Sequence, residues 1–188
     1  MAPSTFDVVK ANAYIGPTNR VVTGQTFYVG NGTALPPGGY TGSDGNSGFS
    51  PQEAFATIAY AVSKCSAARG DIIYVMPGHA ESVPAADLTL NVTNVSIVGL
   101  GRGAFRPTLN LTATGSTIAI SAAAVSLENF LITGGVDLIT AVMTISAADV
   151  KILNCEIRSV TGDPVVSILT TAAAARLEIA DCRFSGSA

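Results

Sequence analysis

Hydrophobic residues recur at every second position in four segments of this chain, and the four segments align with one another: TNVSIVGL, AAVSLENFLI, ADVKILNCEI and ARLEIADCRF. The alignment gives one column of Val95, Val125, Val150 and Leu177 and a second column of Ile97, Leu127, Ile152 and Ile179. Successive copies lie 30, 25 and 27 residues apart. A two-residue period predicts strands, and repetition at this distance is typical of a solenoid.

A second apolar strand precedes each copy. In three copies its last apolar residue, Leu90, Ile120 or Ile145, lies five positions before the valine of the first column. Val166 and Ile168 are expected to take the same place in the fourth copy, followed by an extra Ala-rich loop. The pattern therefore predicts an all-β parallel β-helix of about four to five coils, with at least two strands per coil and equivalent residues about 4.8 Å apart.

Polar columns accompany the apolar ones. A corner column consists of Asn129, Asn154 and Asp181. These residue types tolerate the left-handed backbone conformation and can hydrogen-bond along a stack. An outward column consists of Ser96, Ser126, Lys151 and Glu178. Lys151 beside Glu178 predicts an exposed ion pair, worth less than about 1 kcal/mol.

The period changes over residues 50–70, SPQEAFATIAYAVSKCSAARG, where helical spacing replaces alternation. Ser50 is expected to cap a helix, Pro51 to take its first position and Glu53 to complete a capping box. Gly70 predicts the end of the helix. The segment therefore predicts one amphipathic helix of about five turns.

The apolar face of this predicted helix contains Phe55, Ile58, Val62 and Cys65. We expect that face to cover the first coil, because the end of a β-helix otherwise exposes its apolar interior. At the other end the sequence reads FSGSA after the last copy. The final coil is therefore expected to have an open edge unless a partner, or another copy of the chain, covers it.

The N-terminal part does not fit the repeat. Residues 1–29 contain the strand-like pieces FDVV and QTFYVG, and residues 30–50 are rich in Gly and Pro, which predicts an irregular loop. The chain is accordingly divided into an N-terminal arm and loop over residues 1–49, a capping helix over 50–70 and a parallel β-helix over 71–188.

Composition narrows the classes of function. The 188 residues carry a net charge of −3, with 12% charged and 48% hydrophobic residues. The chain has no run of basic residues that would predict a nucleic-acid surface and no apolar stretch long enough to predict a membrane span. The opening MAPSTFDVVK lacks the pattern of a secretory signal. The three cysteines are therefore expected as reduced thiols. Cys155 and Cys182 share a column close enough to bridge, but they are expected as buried apolar residues.

The segments SPQEAFATIAYAVSKCSAARGDIIYVMPGHAESV and VSIVGLGRGAFRPTLNL resemble the opening coils of pectin-lyase-like β-helix proteins, in particular virion structural proteins of tailed bacteriophages. The resemblance covers about residues 48–184 and is most specific in the helix followed by GD-x-I-x-V-x-P-G-H. It implies a right-handed parallel β-helix. It also implies a role as a head decoration (cement) protein or as part of a tailspike or fibre, commonly assembled as a trimer.

The same superfamily includes polysaccharide lyases and hydrolases, so catalysis is an alternative. The resemblance implies that a lyase would need clustered acids for calcium and a base, and a hydrolase two carboxylates about 5 to 9.5 Å apart. Glu128 is the single acid of its outward column, and Glu178 lies beside a lysine. Glu156 and Asp163 have no aligned acidic partner. The sequence therefore predicts no catalytic, metal-binding or cofactor-binding residues.

Two further motifs are assigned to corners. His79 follows a Pro-Gly turn pair and is expected to be a turn residue hydrogen-bonded to Glu81, rather than a metal ligand or a base. The glycines of residues 99–103, GLGRG, precede strand-like residues, which predicts a corner instead of a phosphate-binding turn. Arg102 and Arg106 are expected to reach an acidic neighbour, a protein rather than nucleic acid.

These expectations combine in a non-catalytic capsid decoration protein on a phage head, made in the host cytoplasm. Its arm would lie across the major capsid protein, and copies would form a homotrimer, without nucleic acid, membrane or cofactor. A tailspike or fibre component that binds a surface glycan stays an alternative, although the chain has no Trp and its five tyrosines precede the main coils. A polysaccharide lyase or hydrolase is the third hypothesis.

Overall fold

The computed structural model describes residues 14–15, 21–22, 24–31, 41–85, 88–159 and 164–186. Most of the predicted arm, including FDVV, and Asp163 lie outside these residues. The helix α1 spans Ile58–Lys64, and 3-10 turns span Pro51–Glu53 and Gly103–Phe105. The strands are, in chain order, β1 Tyr14–Ile15, β2 Val21–Val22, β3 Thr26–Val29, β4 Ile72–Val75, β5 Ala80–Val83, β6 Leu88–Leu90, β7 Ser96–Gly99, β8 Thr108–Leu111, β9 Ile118–Ile120, β10 Ser126–Glu128, β11 Leu131–Gly134, β12 Met143–Ile145, β13 Lys151–Leu153, β14 Glu156–Ser159, β15 Ile168–Thr170, β16 Glu178–Ala180 and β17 Arg183–Ser185.

Three parallel sheets run along the stack, and successive coils add one strand to each. Sheet I contains β3, β4, β7, β10, β13 and β16. Sheet II contains β5, β8, β11, β14 and β17, and sheet III contains β6, β9, β12 and β15. The short strands β1 and β2 pair separately and antiparallel. The architecture is the predicted right-handed parallel β-helix, with three strands in each full coil.

The register of sheet I confirms the alignment of the repeats. Leu127 pairs with Ile97 on one side and with Ile152 on the other, and Ile152 pairs in turn with Ile179. The first three of these side chains are buried in one continuous apolar core. Equivalent residues of successive coils therefore stack on one another, which is how a short repeat buries a core.

Sheet II was not predicted as a separate set of strands. Asn129 forms a corner between β10 and β11, and the inward positions then restart out of phase, with Leu127, Phe130 and Ile132 all buried. Asn129 and Phe130 lie between the two strands, and the left-handed turn at Asn129 shifts the two-residue period by one position. In the sequence, this shift resembles the end of a strand, so the second strand that follows it was not recognised.

Two columns of corner residues have left-handed backbone conformations. The predicted column has φ values of 63° at Asn129, 50° at Asn154 and 55° at Asp181. A second column, before the strands of sheet I, has φ values between 55° and 62° at Ala68, Asn94, Ala124, Asp149 and Arg176. The second column was not predicted, since Ala and Arg do not favour positive φ. Stacking therefore imposes one corner geometry on whichever residue occupies it.

The first strand of sheet I comes from a segment predicted to lie outside the repeat. β3 pairs in parallel with β4, placing Phe27 beside Ile73. The prediction was therefore wrong for Thr26–Val29. The alternation of QTFYVG is that of a strand, but residues 30–70 separate it from the first full coil, so the spacing of the repeat does not reveal it.

The predicted helix over residues 50–70 is two short helical pieces. Ser50 caps the first, a 3-10 turn beginning at Pro51, by accepting a 3.3 Å hydrogen bond from the backbone N–H of Glu53. The carboxylate of Glu53 accepts a hydrogen bond from the hydroxyl of Ser47, so the predicted reciprocal capping box is replaced by a bond to the preceding loop.

Phe55 interrupts the helix because it pairs with the edge of β3. Its N–H donates to the carbonyl of Tyr28 at 2.8 Å, and its carbonyl accepts from the N–H of Gly30 at 2.9 Å. These bonds satisfy strand-edge groups that a continuous helix would leave open. α1 then covers only Ile58–Lys64, and Gly70 lies in the turn before β4 instead of ending the helix.

The N-terminal end of the stack is closed, as the sequence predicts. Phe55, Ile58 and Val62 are buried in the same core as the strands, and Cys65 packs against that core from a partly buried position. The N–H of Tyr28 donates to a loop carbonyl, Gly48, at 2.8 Å. Side chains and backbone groups of the first strand are thus both covered.

The last coil has a register different from the predicted one. Ile168 pairs with Met143, and Thr170 pairs with Ile145, so Val166 does not take the first of these places. A longer turn precedes β16 in this coil. Thr170 is exposed at an inward-facing register position, which an open end of the stack tolerates.

Candidate functional site: the exposed terminal rung

The outward acids lie beside cations. The Oε2 atom of Glu178 lies 2.6 Å from Nζ of Lys151, confirming the predicted exposed pair. Glu156 lies 2.6 Å from Nη2 of Arg158 and 3.4 Å from Nη1 of Arg106. The hydrogen bond from Arg158 lowers the pKa of the Glu156 carboxyl. Neither arrangement places two carboxylates opposite each other, as hydrolysis of a glycoside requires.

Glu128 stands between Val98 and Leu153 in its outward column, as predicted. Arg106 was expected to reach an acidic neighbour, a protein rather than nucleic acid, but it contacts Glu156 of its own chain. The stack places the two residues on the same side of the solenoid with one coil between them, within reach of the long arginine side chain. Among the residues that the structure describes, no group of three His, Cys, Asp or Glu side chains could hold a metal ion.

His79 is a buried structural residue of the first corner. Its Nδ1 atom accepts a 3.2 Å hydrogen bond from the N–H of Asn31, so the proton of the neutral ring lies on Nε2. Nε2 is 3.0 Å from Oε2 of Glu81, to which it donates, as predicted. The same oxygen accepts from the N–H of Ile58 at 3.0 Å. The pair therefore joins the corner to the start of α1.

Asp71 is a buried acid that was not predicted from the sequence. Its carboxylate accepts hydrogen bonds of 2.8 Å from the N–H groups of Gln25 and Ser66, and it pairs with Arg69. Burial disfavours the charged form, but the bonds from Arg69 and the two N–H groups hold the pKa of Asp71 below its usual value. The Arg-Gly-Asp run before a strand was the available signal, because a buried carboxylate needs a nearby cation.

The Gly-rich segment 99–103 is a corner, as predicted. Gly101 has a φ of 102°, and a 3-10 turn of three residues follows it. The carbonyls of Gly99 and Gly101 both accept hydrogen bonds from the side-chain amide of Asn129, at 2.7 and 3.0 Å. The segment thus presents carbonyls to the next coil, where they bind the first residue of the corner column, Asn129.

The cysteines of the apolar column are free thiols. Cys155 is 2% exposed and Cys182 is half-buried one coil further along. Burial raises the pKa of the Cys155 thiol to about 12. These positions agree with the prediction of small apolar residues facing the core.

The last coil exposes side chains whose counterparts are buried one coil below. We call residues 164–186, which contain β15, β16 and β17, the terminal rung. Ile179 is 43% exposed, whereas Ile152, its partner in the coil below, is 1% exposed. Phe184 is 50% exposed, whereas its partner Ile157 is 5% exposed. Among the described residues, the expected open edge is therefore present.

The strand edges of the terminal rung are open as well. β15, β16 and β17 each end one sheet, with no described strand on their outer side. Such edges present unpaired N–H and C=O groups, which are a template for pairing with another chain. β5 and β6 also end their sheets at the N-terminal side, but there the edges are covered by other parts of the chain. The outer edge of β3 is hydrogen-bonded to residues 48 and 55, the side chain of Asn31 bonds with the backbone of Ala80 in β5, and α1 packs against β6.

The rim of the terminal rung carries charges of both signs. They are Arg176, Glu178, Asp181 and Arg183. Arg176 makes two hydrogen bonds with Asp149 of the coil below, and Glu178 pairs with Lys151 of that coil. The rim charges sum to zero, so the rung is an apolar patch surrounded by compensated charges.

Comparisons of this chain with protein-family models, curated proteins and solved structures found no match. Within the described ranges, no helix is both long and apolar enough to cross a membrane. The terminal rung, with its exposed apolar side chains and open strand edges, is the candidate interaction site.

Proposed function

We propose that this protein is a non-catalytic structural component of a larger assembly, and that the assembly is the virion of a tailed bacteriophage. In this role the chain decorates and reinforces the phage head. The observation that carries the proposal is the terminal rung, where Ile179 and Phe184 stay about half exposed above a core that is otherwise closed. Apolar patches of this kind are typical of protein interaction sites.

The surroundings of the outward acids support a structural role over hydrolysis. Glu156 and Glu178 are each bound to cations of the same chain, and Glu128 has apolar neighbours in its column. Carboxylates that are fully engaged in ion pairs are poor proton donors at neutral pH, because the pairing stabilises their charged form. Glu156 follows this rule, since its pKa is lowered.

The stacked coils also fit a mechanical role. Each coil is hydrogen-bonded to its neighbours through three sheets, and the apolar core is continuous from Phe27 to Ile157. A protein that reinforces a head must resist local unfolding, and a continuous core with paired strands raises the free energy of opening. In this proposal the partners are the major capsid protein and other copies of the chain. The resemblance implies a trimer for the latter, but the terminal rung favours a pair of copies.

The test is quantitative mass spectrometry of virions purified from a lysate of the phage that encodes the chain. We expect peptides of this protein at a copy number comparable to that of the major coat protein, and heads that lose contents at lower temperature when the gene is deleted. Absence from purified particles, or heads of unchanged stability in the deletion, would contradict the proposal.

A further inference from the structure

We infer that the terminal rung binds the terminal rung of a second copy of this chain, tail to tail, about a twofold axis perpendicular to the solenoid. The inference rests on the proposed structural role and names the partner that covers the exposed rung. An isologous contact uses the same patch on both copies. It would remove Ile179 and Phe184 from water on both sides at once.

The closed N-terminal end decides how two copies can stack. Head-to-tail stacking would require open edges at the first coil, but the outer edge of β3 is hydrogen-bonded to Gly48 and Phe55. Asn31 bonds with the backbone of Ala80 in β5, and α1 packs against β6. Ile58 and Val62 of α1 are buried over the interior of the first coil. Among the residues that the structure describes, a terminal rung therefore meets a matching open surface in another terminal rung and not at the covered end. The result is a closed pair instead of a filament.

The charges of the rim favour a second copy over a strongly charged partner. The rim contains two arginines and two acids, and Arg176 and Glu178 are already paired with Asp149 and Lys151 of the coil below. A surface that is neutral overall does not repel itself when a twofold axis places it against its own copy. An acidic or a basic partner would find no complementary field there.

The open strand edges give the contact its backbone component. A twofold axis perpendicular to the solenoid reverses strand direction, so the edge strands of the two rungs meet antiparallel. Antiparallel pairing is at least as stable per residue as the parallel pairing inside the stack. The unpaired N–H and C=O groups of β15, β16 and β17 would thus gain partners as the apolar side chains are covered.

The first test is the mass of the purified chain by sedimentation equilibrium. We expect twice the 19.0 kDa of one chain, and a single-chain mass for Phe184→Glu. Phe105→Glu is the matched control, because Phe105 is 42% exposed in a 3-10 turn far along the chain from the rung. It should stay dimeric, and circular dichroism should show both variants folded. A wild-type monomer, or an oligomer that Phe184→Glu leaves intact, would overturn the inference.

The second test locates the contact by distances between spin labels. Ala67 and Ala175 are exposed and directly precede residues of one corner column, four coils apart, or about 19 Å at the strand spacing. Each is changed to Cys in a chain with Cys65→Ser and Cys182→Ser, leaving only the buried Cys155. In a tail-to-tail dimer the separation along the solenoid axis should be about 38 Å greater for the pair of labels at position 67 than for the pair at position 175, so the first pair should lie much further apart. Equal distances, as in a parallel side-by-side oligomer, would refute the arrangement.

The two proposals can fail separately. A monomeric chain that is abundant in virions refutes the tail-to-tail contact and leaves the structural role standing. A chain that forms the dimer but is absent from virions refutes the virion role and leaves the tail-to-tail contact standing.

Discussion

The side-chain amide of Asn154 donates to Oδ1 of Asn129, one coil below, at 3.4 Å. Asn129 in turn donates to the carbonyls of Gly99 and Gly101, so one line of amides crosses three coils at the same corner. Both asparagines have positive φ, which their short polar side chains tolerate. The corner between sheets I and II is thereby held by side-chain bonds where no strand is present.

Asn129→Ala should destabilise the protein by about 2 kcal/mol, because it removes three side-chain hydrogen bonds, two donated and one accepted, and places Ala at positive φ. Urea unfolding followed by circular dichroism measures the change. Asn154→Ala is the matched comparison, since Asn154 is exposed and its amide makes one long bond. It should cost clearly less. Equal losses for the two variants would show that backbone conformation alone sets the cost.

Ile152→Asp should prevent folding, whereas Lys151→Asp should be mild. Ile152 is 1% exposed between two apolar partners, and an isolated carboxylate there has no cation to compensate it. The neighbouring Lys151 side chain is 53% exposed, and its pair with Glu178 is worth about 1 kcal/mol or less. Far-ultraviolet circular dichroism and elution volume distinguish the outcomes. A folded Ile152→Asp chain would contradict the stacked core.

Asp71→Asn should cost about 3 kcal/mol at pH 7, because it leaves Arg69 without its buried counter-charge. The pKa of Asp71 is lowered from 3.8 in the folded state, so its contribution is present above about pH 4 and is lost as the pH falls through the folded value. The difference in unfolding free energy between wild type and variant should therefore shrink in acid.

Asp149→Asn is the control for this pH dependence. Asp149 also pairs with an arginine, Arg176, but both side chains are exposed, so solvent screens the pair. Its substitution should change stability little at any pH. The same acid dependence in both variants would contradict the prediction that the buried pair of Asp71 and Arg69 causes the pH dependence. Urea titrations at pH 7, 5 and 3 measure all three proteins.

Cys155 should resist alkylation at pH 8 until the chain unfolds. Burial raises the pKa of its thiol to about 12, so almost no thiolate is present, and the side chain is 2% exposed. Iodoacetamide labelling followed by peptide mass spectrometry should show Cys155 unmodified in buffer and modified in urea above the unfolding transition. Rapid modification in the native state would place Cys155 outside the core.

The repeat made much of the fold predictable. The columns through Leu127 and Ile152, the corner at Asn129, the ion pair of Lys151 and the hydrogen-bonded turn at His79 were all predicted from spacing and residue type. Each of these depends on neighbours at a fixed distance along the chain. In a stacked solenoid, residues one repeat apart along the chain lie next to each other in adjacent coils, so these contacts can be predicted without knowing the topology separately.

The errors lie where the distance along the chain is not fixed. β3 joins sheet I across a long insertion, and the buried carboxylate of Asp71 depends on Gln25, the residue before that strand. Phe55 fits a helical pattern, yet it bonds to a strand edge that the helix itself could not indicate. In the later coils the strand of sheet II follows a two-residue corner, such as Asn129 and Phe130, that shifts the alternation of apolar residues. Helical and strand patterns near such junctions are ambiguous without their partners.

By itself, the sequence determined the solenoid, its inward columns and the helical cover of the first coil, because these follow from local alternation, periodic repetition and a change to helical spacing. Only the tertiary structure decided that β3 begins sheet I, that Phe55 closes its edge, and that Ile179 and Phe184 remain about half exposed. Exposure and edge pairing are properties of what lies next to a residue in space. Where no repeat relates two segments of the chain, their positions in the sequence do not indicate how close they lie in space.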